Sequence, residues 1–227
     1  MQLTYYGHSS FSVTIQGKKL LFDPFITPNE LANQVVEIDR LDADYILVSH
    51  GHQDHIADCV RIADRTGAKV ICNYEIHEWL NKQGIENTHP MNTGGKWDFG
   101  SFQVKCVVAH HSSALPDGSN GGSPLGFLVF SAEGNFYYAG DTALTMDMQL
   151  IPRWAKLNFA VLPIGDNFTM DVTDAILCAE MIGCDNIIGV HYDTFGYIRI
   201  DHQQAIQAFA NAGATLRLMA IGETTGL

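Results

Sequence analysis

The chain has 227 residues, 46% of them hydrophobic and 17% charged, which suits a water-soluble protein able to build a substantial core. Its 25 acidic against 13 basic residues leave a formal charge of −12, which argues against a phosphate backbone as main partner, since that binding depends on Lys and Arg. No stretch approaches the roughly 18–20 apolar residues of a membrane span, and the first residues lack an export signal, so a cytoplasmic location with no membrane partner is expected.

Short apolar, β-rich runs come first, at 3–6, 11–15 and 19–22, with Gln16-Gly17-Lys18 as a hairpin turn. The run Tyr45-Ile46-Leu47-Val48-Ser49 reads as a buried strand that empties into a loop. Residues 56–66 have helical spacing (Ile56, Cys59, Val60, Ile62, Ala63) and stop at Gly67. A strand at 69–72 and a helix at 74–82 closing at Gly84 follow, then strands at 102–108, 126–130 and 135–138. Apolar runs at 158–162 and 187–190 enclose a helix at 173–182, with Asp171 or Thr173 as cap and Gly183 as stop. Asp201 is expected to cap a last helix ending at Gly213, before a final strand at 215–219. Strands early in each half with strand–helix units after them predict a layered α/β architecture over one domain, residues 1–227. The two halves share this broad order, although no sequence repeat is visible. The cysteines (Cys59, Cys72, Cys106, Cys178, Cys184) are odd in number and lack CxxC spacing, so they read as mostly buried thiols in a reducing compartment.

The densest chemistry is His50-Gly51-His52-Gln53-Asp54-His55, directly after the buried run at 45–49. Three imidazoles and a carboxylate this close are ligands suited to zinc and other first-row divalent metals. Other apolar runs also end in ligand side chains: 102–109 in His110-His111, 136–140 in Asp141, 187–190 in His191 and 20–22 in Asp23. Ligands of open α/β sheets gather outside the carboxyl ends of strands. In an extended segment neighbouring side chains point to opposite faces, so only one of His110 and His111 can face such a site easily.

His-x-His-x-Asp-His, a lone His, Gly-Asp-Thr and a late His together resemble the metallo-β-lactamase superfamily. Gly7-His8-Ser9-Ser10, Asp23-Pro24-Phe25, His111-Ser112-Ser113, Ala139-Gly140-Asp141-Thr142 and the segment Pro163 to Met170 resemble a group of metal-dependent hydrolases akin to L-ascorbate-6-phosphate lactonases. The resemblance implies a four-layer αββα sandwich with a two-metal site at one edge. It implies His50, His52 and His111 on one ion, Asp54, His55 and His191 on a second, and Asp141 bridging them. Zinc is the first choice of ion, with manganese, iron or nickel as alternatives. His111 is preferred to His110 because the resembling proteins place the ligand just before Ser-Ser.

The resemblance further implies a metal-dependent hydrolase that cleaves an ester-like, lactone or phosphoester bond of a small molecule with a metal-bridging hydroxide, Asp54 taking or relaying the proton. Asp23 is expected behind the ligands, holding a histidine tautomer. His8, Asp166 and Asn167 are expected near ligands or substrate, and the Gly/Ser/Pro-rich segment 112–124 as a lid or binding loop. His77, His89 and His202 have no evident role. A non-catalytic metal-binding or regulatory protein and an RNA-processing nuclease of the same superfamily are the alternatives; the charge of −12 speaks against the second.

Overall fold

The computed structural model describes residues 1–227. The strands are β1 (Gln2–Gly7), β2 (Ser10–Ile15), β3 (Lys18–Phe22), β4 (Tyr45–Leu47), β5 (Lys69–Asn73), β6 (Thr88–Met91), β7 (Lys96–Asp98), β8 (Gln103–Val108), β9 (Leu125–Ser131), β10 (Gly134–Tyr138), β11 (Phe159–Pro163), β12 (Asn186–Val190), β13 (Thr215–Arg217) and β14 (Thr224–Gly226). They form two seven-stranded sheets, ordered β14-β1-β2-β3-β4-β5-β6 and β13-β12-β11-β10-β9-β8-β7. Each sheet is antiparallel on one side and parallel on the other, the change falling at β3 in the first and β10 in the second. The repeated strand order read from the sequence is therefore a repeated topology.

The helices are α1 (Gln53–Ile56), α2 (Cys59–Thr66), α3 (Tyr74–Lys82), α4 (Ile151–Trp154), α5 (Val172–Ile182) and α6 (His202–Asn211). Alternate strand residues build the layer between the sheets, where Phe11, Phe22, Phe127, Phe136 and Phe159 are fully buried. The opposite face of the first sheet buries Ile46, Val48 and Val70 against Ile62, Ile76 and Leu80. That of the second buries Ala160, Leu162 and Ile187 against Ala175, Ala179 and Phe209. The result is the expected αββα sandwich. No helix is long and apolar enough to cross a membrane. All five cysteines are buried and unpaired.

Local differences have identifiable causes. The helix expected over 56–66 starts earlier, at Gln53, and breaks at Ala57-Asp58. Asp58 is buried, and its carboxylate accepts hydrogen bonds from Ile26 N–H at 2.6 Å and Thr27 N–H at 2.8 Å. That docking of the 24–27 segment replaces a regular helical turn. Asp171 and Asp201 cap α5 and α6, accepting from the N–H groups of Asp174 and Gln204. The edge strands β6, β7 and β14 have little apolar alternation, which is why the sequence pattern does not reveal them.

Strand direction places the chemistry. β1, β3 and β4 run the same way in the first sheet, as do β8, β10, β11 and β12 in the second. Their carboxyl ends discharge His8, Asp23, the 50–55 cluster, His111, Asp141 and His191 at one rim of the sandwich.

Candidate active site

The rim is held in shape by unusual backbone. His8 (φ 54°), Asp23 (φ 41°) and His191 (φ 58°) are left-handed although none is glycine. Such residues are uncommon and persist only where the surroundings dictate them. Gly140 shares the conformation (φ 62°) for a second reason: a Cβ there would lie 2.7 Å from the Leu125 carbonyl oxygen and 3.0 Å from Ser49 Cβ. Gly165 likewise leaves room for the His191 carbonyl, which a side chain would overlap.

The carboxylate of Asp141 is the centre. Its Oδ2 lies 2.9 Å from His191 Nε2, 3.2 Å from His55 Nε2, 3.6 Å from His111 Nε2 and 3.9 Å from His50 Nε2. Burial would raise this carboxyl, but the His191 and His55 charges beside it outweigh burial and hold it well below the ordinary range. His50, His52 and His111 gather on one side, with ring nitrogens of His50 and His52 facing each other at 2.9 Å. His55, His191 and Asp54 gather on the other, joined by His8. His111 is in the group; His110 is exposed, its backbone N–H donating to Thr142 Oγ1.

Behind this ring, Asp23 is fully buried and accepts from Ser49 N–H (2.7 Å), Ser49 O–H (2.6 Å), Tyr138 O–H and His55 Nδ1 (2.7 Å). Asp23 is also within ligand reach of His50 and His55, but four donors already occupy its two oxygens. Its place is therefore to orient His55. His8 performs a similar task for Asp54. Burial and the His191 charge lower His8 to about 4, so the ring is neutral. Its Nε2–H donates to Asp54 Oδ2 at 3.0 Å and its Nδ1 accepts from Thr194 O–H at 3.0 Å.

Two imidazoles go the other way. Burial works to lower His191, yet the Asp141 carboxylate 2.9 Å away and the nearby Asp54 lift it to about 9. His55 is also raised, against burial, by the charges of Asp141, Asp54 and Asp23. Burial alone raises Asp54, but the His55 charge, the nearby His191 and the hydrogen bond from His8 bring it well below the carboxylate range. Carboxylates that draw protons onto buried imidazoles call for positive charge at their centre. His55 Nε2 and Asp141 Oδ1 are buried with no hydrogen-bond partner, as expected of atoms meant for a cation. The donor set of imidazoles and carboxylates fits divalent metal.

The site floors a cavity of about 960 Å³. Its walls come from the 25–30 segment, Phe168 and the loop Thr194–Tyr197. Asp166 and Asn167 are exposed and stay outside it; their left-handed backbone forms the turn that presents Phe168 instead. The 112–124 segment contributes only Ser112. The rest is tied away from the cavity: Asn73 Nδ2 donates to the Gly121 and Ser123 carbonyls, Trp79 Nε1 donates to Asp117, and Leu115 is buried against the helices of the first sheet. This segment is a fastened flap and not a lid. His77 and His202 have partners, Thr88 and Asp193 respectively, and His89 lies against Trp97, all away from the cluster. Sequence reasoning missed Glu30, Thr194, Phe195 and Tyr197, none of which stands directly at the end of an apolar run.

A beta-lactamase superfamily domain matches residues 18–192. A UPF0173 metal-dependent hydrolase of Christiangramia forsetii is 52% identical over 227 residues, all of both chains. The chain belongs to the UPF0173 family of metal-dependent hydrolases. Among solved structures, Igni18, a metallo hydrolase of the archaeon Ignicoccus hospitalis, is similar at 34% identity and TM-score 0.89, over 99% of this chain and 97% of that one. An isothiocyanate hydrolase from Delia radicum gut bacteria shares the fold at 18% identity and TM-score 0.79, over 100% and 99% of the two chains. This UPF0173 member is thus a metal-dependent hydrolase whose His/Asp clusters could bind the metal.

Proposed function

We propose that this hydrolase cleaves an ester-like, lactone or phosphoester bond of a small molecule in the cavity above Asp141. The observation that carries the reading is the convergence of four imidazoles on one buried carboxylate oxygen, within 3.9 Å, at the floor of an open pocket. His50, His52 and His111 would hold one divalent cation, Asp54, His55 and His191 a second, and Asp141 both; zinc is the first candidate, with manganese, iron or nickel as alternatives. Such a pair supplies Lewis acidity and a water ionised near neutral pH.

The chain's own part is positional. Asp23 holds His55 by its Nδ1–H, leaving Nε2 toward the centre. His8 keeps Asp54 Oδ2 engaged, so that Oδ1 is the atom available to receive or relay the proton of the attacking water. The aromatic walls bind the substrate and limit water at the reacting bond. Metal analysis of the purified protein, combined with a panel of lactones, carboxylic esters and phosphodiesters, tests the reading. Stoichiometric metal with turnover is expected, and His52→Ala should remove both; bound metal without turnover of any compound would make this a metal-binding protein.

A further inference from the structure

The cavity differs in character from its floor. Phe25, Phe168, Phe195 and Tyr197 line it, and Glu30 is the charged side chain contributed by its upper wall. Phe168 and Tyr197 are 49% and 78% exposed and meet edge to face, ring centroids 6.4 Å apart. Phe195 leans on Phe25 at 6.4 Å and on His8 at 5.3 Å, so this wall is braced by the site itself. Large aromatics left this open usually mark a surface that receives a ligand.

None of the chain's 13 Lys and Arg residues lines the cavity. A phosphate or carboxylate remote from the reacting bond would therefore meet Glu30 and aromatic faces, whose quadrupoles are negative. It would also give up hydration with no Lys or Arg on the wall to replace it. Glu30 and the aromatic faces would not repel a remote cation, so the exclusion applies to anions.

Resting on the hydrolase reading, we infer that the substrate carries no anionic group beyond its reacting bond: an ester or lactone with an apolar aryl or alkyl group, held between Phe168, Phe195 and Tyr197. Phosphorylated sugar lactones and nucleotides fall outside this class.

The test uses inert ligands on the metal-loaded protein, so that binding is read apart from turnover. The probes are N-(2-naphthylmethyl)acetamide and its 6-sulfonate, sulfonate being a weak metal ligand. Titration should show the neutral amide binding at least about tenfold more tightly than the sulfonate, a gap of about 1.4 kcal/mol. Phe168→Ala and Tyr197→Ala should each weaken the amide by roughly three- to tenfold, the range of one aromatic contact. Glu30→Gln should narrow the gap. Equal or tighter sulfonate binding, no measurable binding of either probe, or wall truncations without effect on the amide would each overturn the assignment. Failure of the hydrolase reading would look different: 2-naphthylmethyl acetate would bind with the same wall dependence and remain uncleaved.

Discussion

At the scale of single residues, the site is an argument about which atoms are left over. Asp23 sits in a buried pocket of four donors, and Asp23→Asn replaces one acceptor oxygen with an NH₂ group facing them. The variant should fold, yet lose roughly 10- to 100-fold in metal affinity or activity, the usual cost of disturbing a ligand's partner. A metal-binding titration beside a thermal melt checks this; unchanged affinity would remove Asp23 from any orienting role. Asp141→Ala goes further, since it withdraws the oxygen on which His50, His55, His111 and His191 converge. Metal content should fall with activity, read by elemental analysis, and a fully loaded Asp141→Ala protein would defeat the ligand assignment.

At the scale of elements, the decisive device is the sharp exit from each strand. Gly140→Ala brings a Cβ against the Leu125 carbonyl and Ser49 at a left-handed position, where strain alone is of order 1–3 kcal/mol and the clash adds to it. Gly17→Ala provides the control, being left-handed too but in open space, and should cost only about 1–2 kcal/mol. Denaturant unfolding of both variants should rank Gly140→Ala as clearly the less stable; equal losses would mean that the close approach is relieved elsewhere. These exits also explain what could be read in advance. Asp23, Asp141 and His191 announced themselves because each follows an apolar run, and one-face geometry limits a strand end to one of His110 and His111. The Asp58 break was not legible, because an aspartate in a helical pattern looks like a solvated position until the 24–27 segment docks on it. Nor was the Thr194–Tyr197 wall, whose place depends on a loop that His202 and Asp193 clasp from outside. The 112–124 segment misled for the opposite reason: its composition is loop-like, but Asn73 and Trp79 bind it down.

At the scale of the whole molecule, charge and stability are linked through the site. Without metal, His191 titrates at about 9 in the fold against its ordinary 6.5. Because the folded value is the higher one, its stabilising contribution is complete below about pH 6.5 and is lost as pH rises through about 9. Protein stripped with a chelator should therefore melt at lower temperature at pH 9 than at pH 6.5. Under the proposed ligation the imidazole is deprotonated throughout in loaded protein, so this decline should be absent, and the melting temperature should exceed that of stripped protein. Melting curves across that window, with and without chelator, decide the point; parallel declines would contradict the linkage.

The division of the proposed ligands between the layers has a mechanical meaning. His50, His52, Asp54 and His55 belong to the sheet that begins the chain, whereas His111, Asp141 and His191 belong to the other. Under the proposed ligation, an ion works as a removable rivet through the sandwich. A version cut between β6 and β7 and produced as two fragments should reassemble far more readily with zinc in the buffer, turning a catalytic centre into a switch for complementation.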